Sequence, residues 1–140
     1  MSPSVFRRQP ETARQRLGRR AERLALELLR SSGYFVERTN VRFPVGEIDV
    51  VAREGNTVCF IEVRSASSEA WGGAAASITT PKQRRIVRAA QWYLKRHSAS
   101  ALPYAVRFDV VAVQWHGAAA PQVQLLRGAF TADGLTGHAF

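Results

Sequence analysis

Gly46-Glu47-Ile48-Asp49-Val50-Val51-Ala52-Arg53-Glu54-Gly55-Asn56-Thr57-Val58-Cys59-Phe60-Ile61-Glu62-Val63-Arg64 sets two β-rich runs on either side of a Gly-Asn pair. Gly and Asn tolerate positive φ at little steric cost, so the spacing predicts one antiparallel hairpin. In a symmetric register Asp49 faces Glu62, Glu47 faces Arg64 and Val51 faces Phe60, and all six share one side. Side chains alternate along a strand, which puts Ile48, Val50 and Ala52 with Cys59, Ile61 and Val63 on an apolar core face. Two carboxylates directly across a ladder repel by roughly a few tenths of a kcal/mol, so their pairing points to a use other than stability. Oxygen ligands that converge this way suit a hard divalent cation, and Mg²⁺ is commonly held by one or two carboxylates plus water and phosphate. The alternative reading of the same residues is the solvated polar face of a half-exposed hairpin. Glu54, at the turn, lies off that face.

The chain of 140 residues fits one domain with a sizeable core. Its single cysteine excludes a disulfide framework and a thiolate metal cluster, and fits a reducing compartment. His97, His116 and His138 are too scattered for a zinc motif. The richest apolar run, Leu24 to Leu29, is interrupted by Glu27 and is far too short to span a bilayer. The expectation is a cytoplasmic protein with no membrane partner.

The net charge of +9 is segregated along the chain. Residues 1–42 carry +6, residues 43–79 carry −3, residues 80–100 carry +6 and residues 101–140 are neutral. Basic segments thus frame an acidic one. A protein acting on a polyanion needs that division, because the cations attract phosphates while the carboxylates concentrate metal.

Taken in order, residues 1–12 read as a loose basic arm, 13–130 as a single domain and 131–140 as a tail. From about Glu11 to Ser32, Leu17, Ala21, Leu24, Ala25, Leu28 and Leu29 follow helical spacing, and Gly33 supplies a stop. Arg14, Arg16, Arg19, Arg20 and Arg23 dominate the opposite side, while Glu22 lies on the flank of the apolar stripe and can look toward a sheet beneath. Tyr34 to Arg38 is β-prone, and Asn40 to Phe43 leads into Pro44, which suits a strand edge. Residues 65–79 form a small-residue loop containing Trp71, placed to cover or admit a substrate. Thr80-Pro81 reads as an N-cap and first helical position. The second helix runs to about His97, burying Ile86, Ala89 or Ala90, Tyr93 and Leu94 and exposing Lys82, Arg84, Arg85, Arg88, Lys95 and Arg96. Its basic first turn suits phosphates. Strands are expected over Tyr104–Trp115 and Val123–Arg127, separated by a Gly/Ala/Pro stretch.

Asp49, twelve intervening residues and Glu62-Val63-Arg64 resemble the Asp…(Asp/Glu)-x-Lys core of the PD-(D/E)xK nuclease superfamily, which includes type II restriction enzymes and archaeal Holliday-junction resolvases. A longer series is similar, in order, to the bacterial YraN-like family of predicted endonucleases. It comprises Gly33-Tyr34, Arg38-Thr39-Asn40, Gly46-Glu47-Ile48-Asp49, Phe60-Ile61-Glu62-Val63-Arg64, Trp71-Gly72-Gly73, Lys82-Gln83 and Arg107-Phe108-Asp109-Val110. The resemblance spans about residues 18–130. It implies an α/β, restriction-endonuclease-like mixed central sheet flanked by helices. It also implies metal ligation by Asp49 and Glu62, and matches Glu22 to the helix-one glutamate of resolvase-like members. Arg64 occupies the lysine position; arginine stays protonated and is a poor general base, though it can hold a phosphate. Lys82 is the candidate for a migrated lysine.

The function expected from this is phosphodiester hydrolysis in nucleic acid, DNA in preference to RNA and branched DNA in particular, in repair or recombination. Asp49 and Glu62, with Glu47 or Glu22, hold Mg²⁺ or Mn²⁺, and Arg64 with Lys82 steadies charge on phosphate. Arg19, Arg20, Lys82, Arg84, Arg85 and Arg88 are the nucleic-acid-binding candidates. Resolvases of this fold act as dimers, which extends to an expected homodimer. The alternatives are a catalytically inactive DNA- or RNA-binding module of the same fold, and a structural partner in a larger assembly.

Overall fold

The computed structural model describes residues 8–66, 78–97 and 105–133. Helix α1, Ala13–Ser31, opens on a capping box in which the Thr12 hydroxyl accepts from the Gln15 N–H and the Gln15 side chain accepts from the Thr12 N–H. The chain continues as β1 (Phe35–Phe43), β2 (Gly46–Glu54), β3 (Thr57–Ala66), α2 (Thr80–His97), β4 (Ala105–His116) and β5 (Ala119–Phe130). The Thr79 hydroxyl, one residue before the expected cap, accepts the Lys82 N–H at 3.4 Å. The loop carrying Trp71-Gly72-Gly73 lies largely outside the described residues.

The five strands form one sheet in chain order. All neighbours are antiparallel except β3 and β4, which run parallel because α2 carries the chain back between them. This five-stranded mixed sheet with two helices is a restriction-endonuclease-like α/β fold. β5 is longer than expected: the chain turns at Gly117 (φ +61) and the strand already includes Pro121, which an edge strand tolerates.

The two helices cover opposite faces of the sheet. Ala21, Ala25 and Leu29 of α1 pack on Val50, Ala52, Cys59, Ile61, Val111 and Val113. On the other face Ile86, Val87, Ala89, Ala90 and Tyr93 of α2 pack on Ile48, Val51, Phe60, Val110 and Ala112. Leu17, expected in the apolar stripe of the first helix, is 42% exposed. Strands buried on both sides read as near-continuous apolar runs, which is why β2, β3 and β4 alternate so weakly. The half-exposed hairpin is thereby corrected, since Val51 and Phe60 lie in core rather than on a polar face.

The hairpin register is as expected from Val50 opposite Ile61 to Glu54 opposite Thr57, with Gly55 taking the positive φ (+58) of the turn. Toward the open end the alternation breaks. Ile48 sits in the α2-side core beside Val51, not with Val50 and Ala52. Asn40 of β1 stands in the left-handed region (φ 52) where that strand passes this point, between the Thr39–Val50 and Val41–Ile48 pairs.

Below the C-terminus of α1 a polar network joins distant elements. Asp109, fully buried, accepts from the Tyr34 hydroxyl at 2.7 Å, from Arg107 at 2.8 Å and from the Gly128 N–H at 2.9 Å. Arg107 also reaches Glu54 at 2.8 Å, and Arg127 meets the same Glu54 at 2.7 Å. Glu54 therefore ties the turn to β4 and β5, and the two arginines, Arg127 foremost, hold its carboxyl below the usual range against the opposing effect of burial. Cys59 lies buried against Arg107 at 3.4 Å, and burial pushes its thiol up to about 12. Among the described residues no helix is long and apolar enough to cross a membrane.

Candidate active site

The break in alternation at Asp49 is what builds the site. Its carboxylate turns to accept the Val63 N–H at 2.8 Å, taking the place of a strand partner. Asp49 then lines a cavity of about 720 Å³ on the α1 side with Glu22, Arg19, Val63 and Ser65. Glu62, buried to 7% exposure, lines a second cavity of about 480 Å³ on the α2 side with Glu47, Lys82 and Arg85. The two carboxyl groups meet between these cavities. Burial, then the neighbouring Glu62 charge, raises Asp49 to about 7, against the Val63 N–H and the Lys82 charge, which pull it down.

Lys82 Nζ lies 2.7 Å from Glu62 Oε1. Nineteen residues lie between them in sequence, and the docking of α2 brings them together. That docking is close at Gly46, where a Cβ would stand 2.8 Å from the Arg85 carbonyl oxygen. Only glycine lets the start of β2 approach the helix backbone this nearly.

The other expected residues are distributed as follows. Glu22 is half-buried and accepts from Asn40 Nδ2 at 2.6 Å. Glu47 lies at the surface, 3.5 Å from Arg42, on the rim of the Glu62 cavity. Arg64 is half-buried two residues beyond Glu62 on β3. Arg19 pairs with Glu11, and Arg20 stacks 5.0 Å above the Trp115 ring. Arg84, Arg85 and Arg88 are exposed on α2. Asn40 was missed as a site residue, although it stands in the Arg38-Thr39-Asn40 series and asparagine is one of the few side chains that accept its backbone geometry.

Among the described residues no three acidic, histidine or cysteine groups converge to hold a metal. The donor set is the Asp49–Glu62 pair. Two carboxyl groups on adjacent strands repel strongly enough, in a site removed from water, that Asp49 is raised to about 7. That set fits a hard divalent ion whose remaining ligands are water and phosphate oxygens.

The chain matches the model of the uncharacterised protein family UPF0102 over residues 21–113. It is 42% identical over 120 residues to the UPF0102 protein of Desulfosudis oleivorans, covering 86% of this chain and 94% of that one. It is 43% identical over 130 residues to the UPF0102 protein of Alkalilimnicola ehrlichii, covering 91% and 98%. On this sequence similarity, joined to the fold above, the chain belongs to the UPF0102 family, also called the YraN family.

Proposed function

We propose that the protein is a metal-dependent nuclease acting on DNA. The observation that carries this reading is the meeting of the half-buried Asp49 and the buried Glu62, on the adjacent interior strands β2 and β3, with a lysine from α2, in a chain whose charge is otherwise strongly basic. Asp49 and Glu62 would hold Mg²⁺ or Mn²⁺, which supplies Lewis-acid polarisation of the phosphate and activation of the attacking water. Lys82, ion-paired with Glu62 at 2.7 Å, is within reach of a phosphate oxygen brought to that carboxylate and neutralises the charge that develops there. A guanidinium is a poor general base, so Arg64 serves phosphate binding and not proton abstraction. Glu22, fixed by Asn40 at 2.6 Å, can orient a water in the Asp49 cavity as a hydrogen-bond acceptor.

The second reading is a binding module of the same fold that does not cleave. It is favoured by the arginine at position 64, where the superfamily pattern has lysine. Incubating branched, flapped, single-stranded and duplex DNA with the protein in Mg²⁺ or Mn²⁺, against EDTA and against Asp49→Ala, separates the two. Cleavage that needs both metal and Asp49 supports the nuclease. Tight binding without cleavage in either metal supports the module.

A further inference from the structure

One stripe of α2 takes no part in the core. Lys82, Arg85, Arg88, Trp92 and Arg96 recur at three- and four-residue intervals, so they fall on one side of the helix over about 21 Å. Arg85, Arg88, Trp92 and Arg96 are exposed, while Ile86, Val87, Ala89, Ala90 and Tyr93 between them are buried. Trp92, 37% exposed, lies 5.9 Å from the ring of Phe43 at an interplanar angle of 45°. The Arg96 guanidinium lies 5.8 Å from the Trp92 ring centre and 6.0 Å from that of Phe43. Phe43 also lines the cavity that holds Glu62, Lys82 and Arg85. The aromatic pair is therefore continuous with the candidate active site, and α2 carries no acidic residue.

We infer that this stripe seats a single-stranded segment of nucleic acid, with phosphates on Arg85, Arg88 and Arg96 and an unpaired base stacked at Trp92, leading the backbone toward Glu62 and Lys82. The inference rests on the reading of the substrate as nucleic acid and narrows it to strands with unpaired bases, such as flaps or single-stranded ends. A duplex keeps its base faces stacked inside and presents only edges and phosphates, so it can use the arginines but not the indole. Unpaired bases use both, and stacking is tolerant of sequence because every base has a π-face.

The test is binding in EDTA, where hydrolysis does not intervene. Labelled oligothymidylate and a matched duplex are titrated against wild type, Trp92→Phe and Trp92→Ala, with circular dichroism melts to verify folding. The expected result is an approximately tenfold loss of single-strand affinity in Trp92→Ala, in keeping with one lost stacking contact, little loss in Trp92→Phe, and duplex affinity within about twofold of wild type. In the Trp71→Phe/Trp115→Phe background, oligothymidylate should quench the fluorescence of Trp92. Unchanged single-strand affinity in Trp92→Ala overturns the inference and leaves metal-dependent cleavage standing. Equal losses for duplex and single strand, or displacement of the oligonucleotide by polyglutamate at equal charge, also overturn it and mark a general anion surface. Selective loss of single-strand binding in a protein that cleaves nothing supports the platform and refutes the nuclease.

Discussion

Asp49 retains its proton to about pH 7 in the fold against an ordinary 3.8. The folded state therefore binds a proton that the unfolded chain has already released. This group favours folding at acid pH, and its contribution is lost as pH rises from about 4 through 7. In EDTA the melting temperature of wild type should fall relative to Asp49→Asn across that interval and run parallel to it above, because the amide keeps an acceptor for the Val63 N–H. Glu27→Gln, on the exposed side of α1, should track wild type; parallel curves for all three proteins would remove the charge excess from the site. A divalent ion must displace the proton, so millimolar Mn²⁺ should raise the wild-type melting temperature more at pH 8 than at pH 6, and scarcely move Asp49→Asn. For catalysis, Arg64→Lys should retain or raise cleavage while Lys82→Ala lowers it by about a hundredfold, the scale of one lost charge-stabilising donor. Wild-type rates in Lys82→Ala would leave Arg64 or the metal alone to steady the phosphate.

At the scale of elements, two contacts hold the site's frame. The Asp109 network ties Tyr34, in the turn after α1, to β2, β4 and β5. Asp109→Ala strips Arg107 of its buried partner and should cost about 3 kcal/mol in urea unfolding. Glu54→Gln weakens more solvated pairs and should cost below ~1 kcal/mol. The second contact is Gly46 against α2. Gly46→Ala puts a methyl 2.8 Å from the Arg85 oxygen, so the helix must shift, at about 1–3 kcal/mol. Because Lys82 rides on that helix, Gly46→Ala should lower cleavage by more than its loss of stability explains, read as kcat at a temperature where the variant remains folded.

For the whole molecule, the proposed function makes the segregation of charge the feature that would decide where a nucleic acid lands. Each phosphate neutralised makes log affinity fall with log salt by about 0.7 to 0.9. Arg85→Gln/Arg88→Gln should therefore flatten that slope by roughly 1.5. Arg19→Gln/Arg20→Gln should flatten it less, since Arg19 is already paired with Glu11 and Arg20 lies over Trp115. The reverse order would put the nucleic-acid face on α1.

The hairpin register, the two helices and the basic frame around an acidic centre were legible because each rests on local periodicity, turn chemistry or composition. Tyr34, Arg107 and Asp109 stood out in the sequence as members of an ordered series, but their role as a buried clamp depends on elements up to 75 residues apart. The same holds for the site. Local alternation places Asp49 and Glu62 on one polar face; the structure places them between two cavities, because Ile48 and Val51 both turn to the α2 side of the sheet. No sequence interval announces that Lys82 meets Glu62 or that Asn40 holds Glu22. Those pairs form only when both helices dock on a sheet whose faces are each covered, and burial of apolar surface across the whole chain, not any local preference, sets that docking.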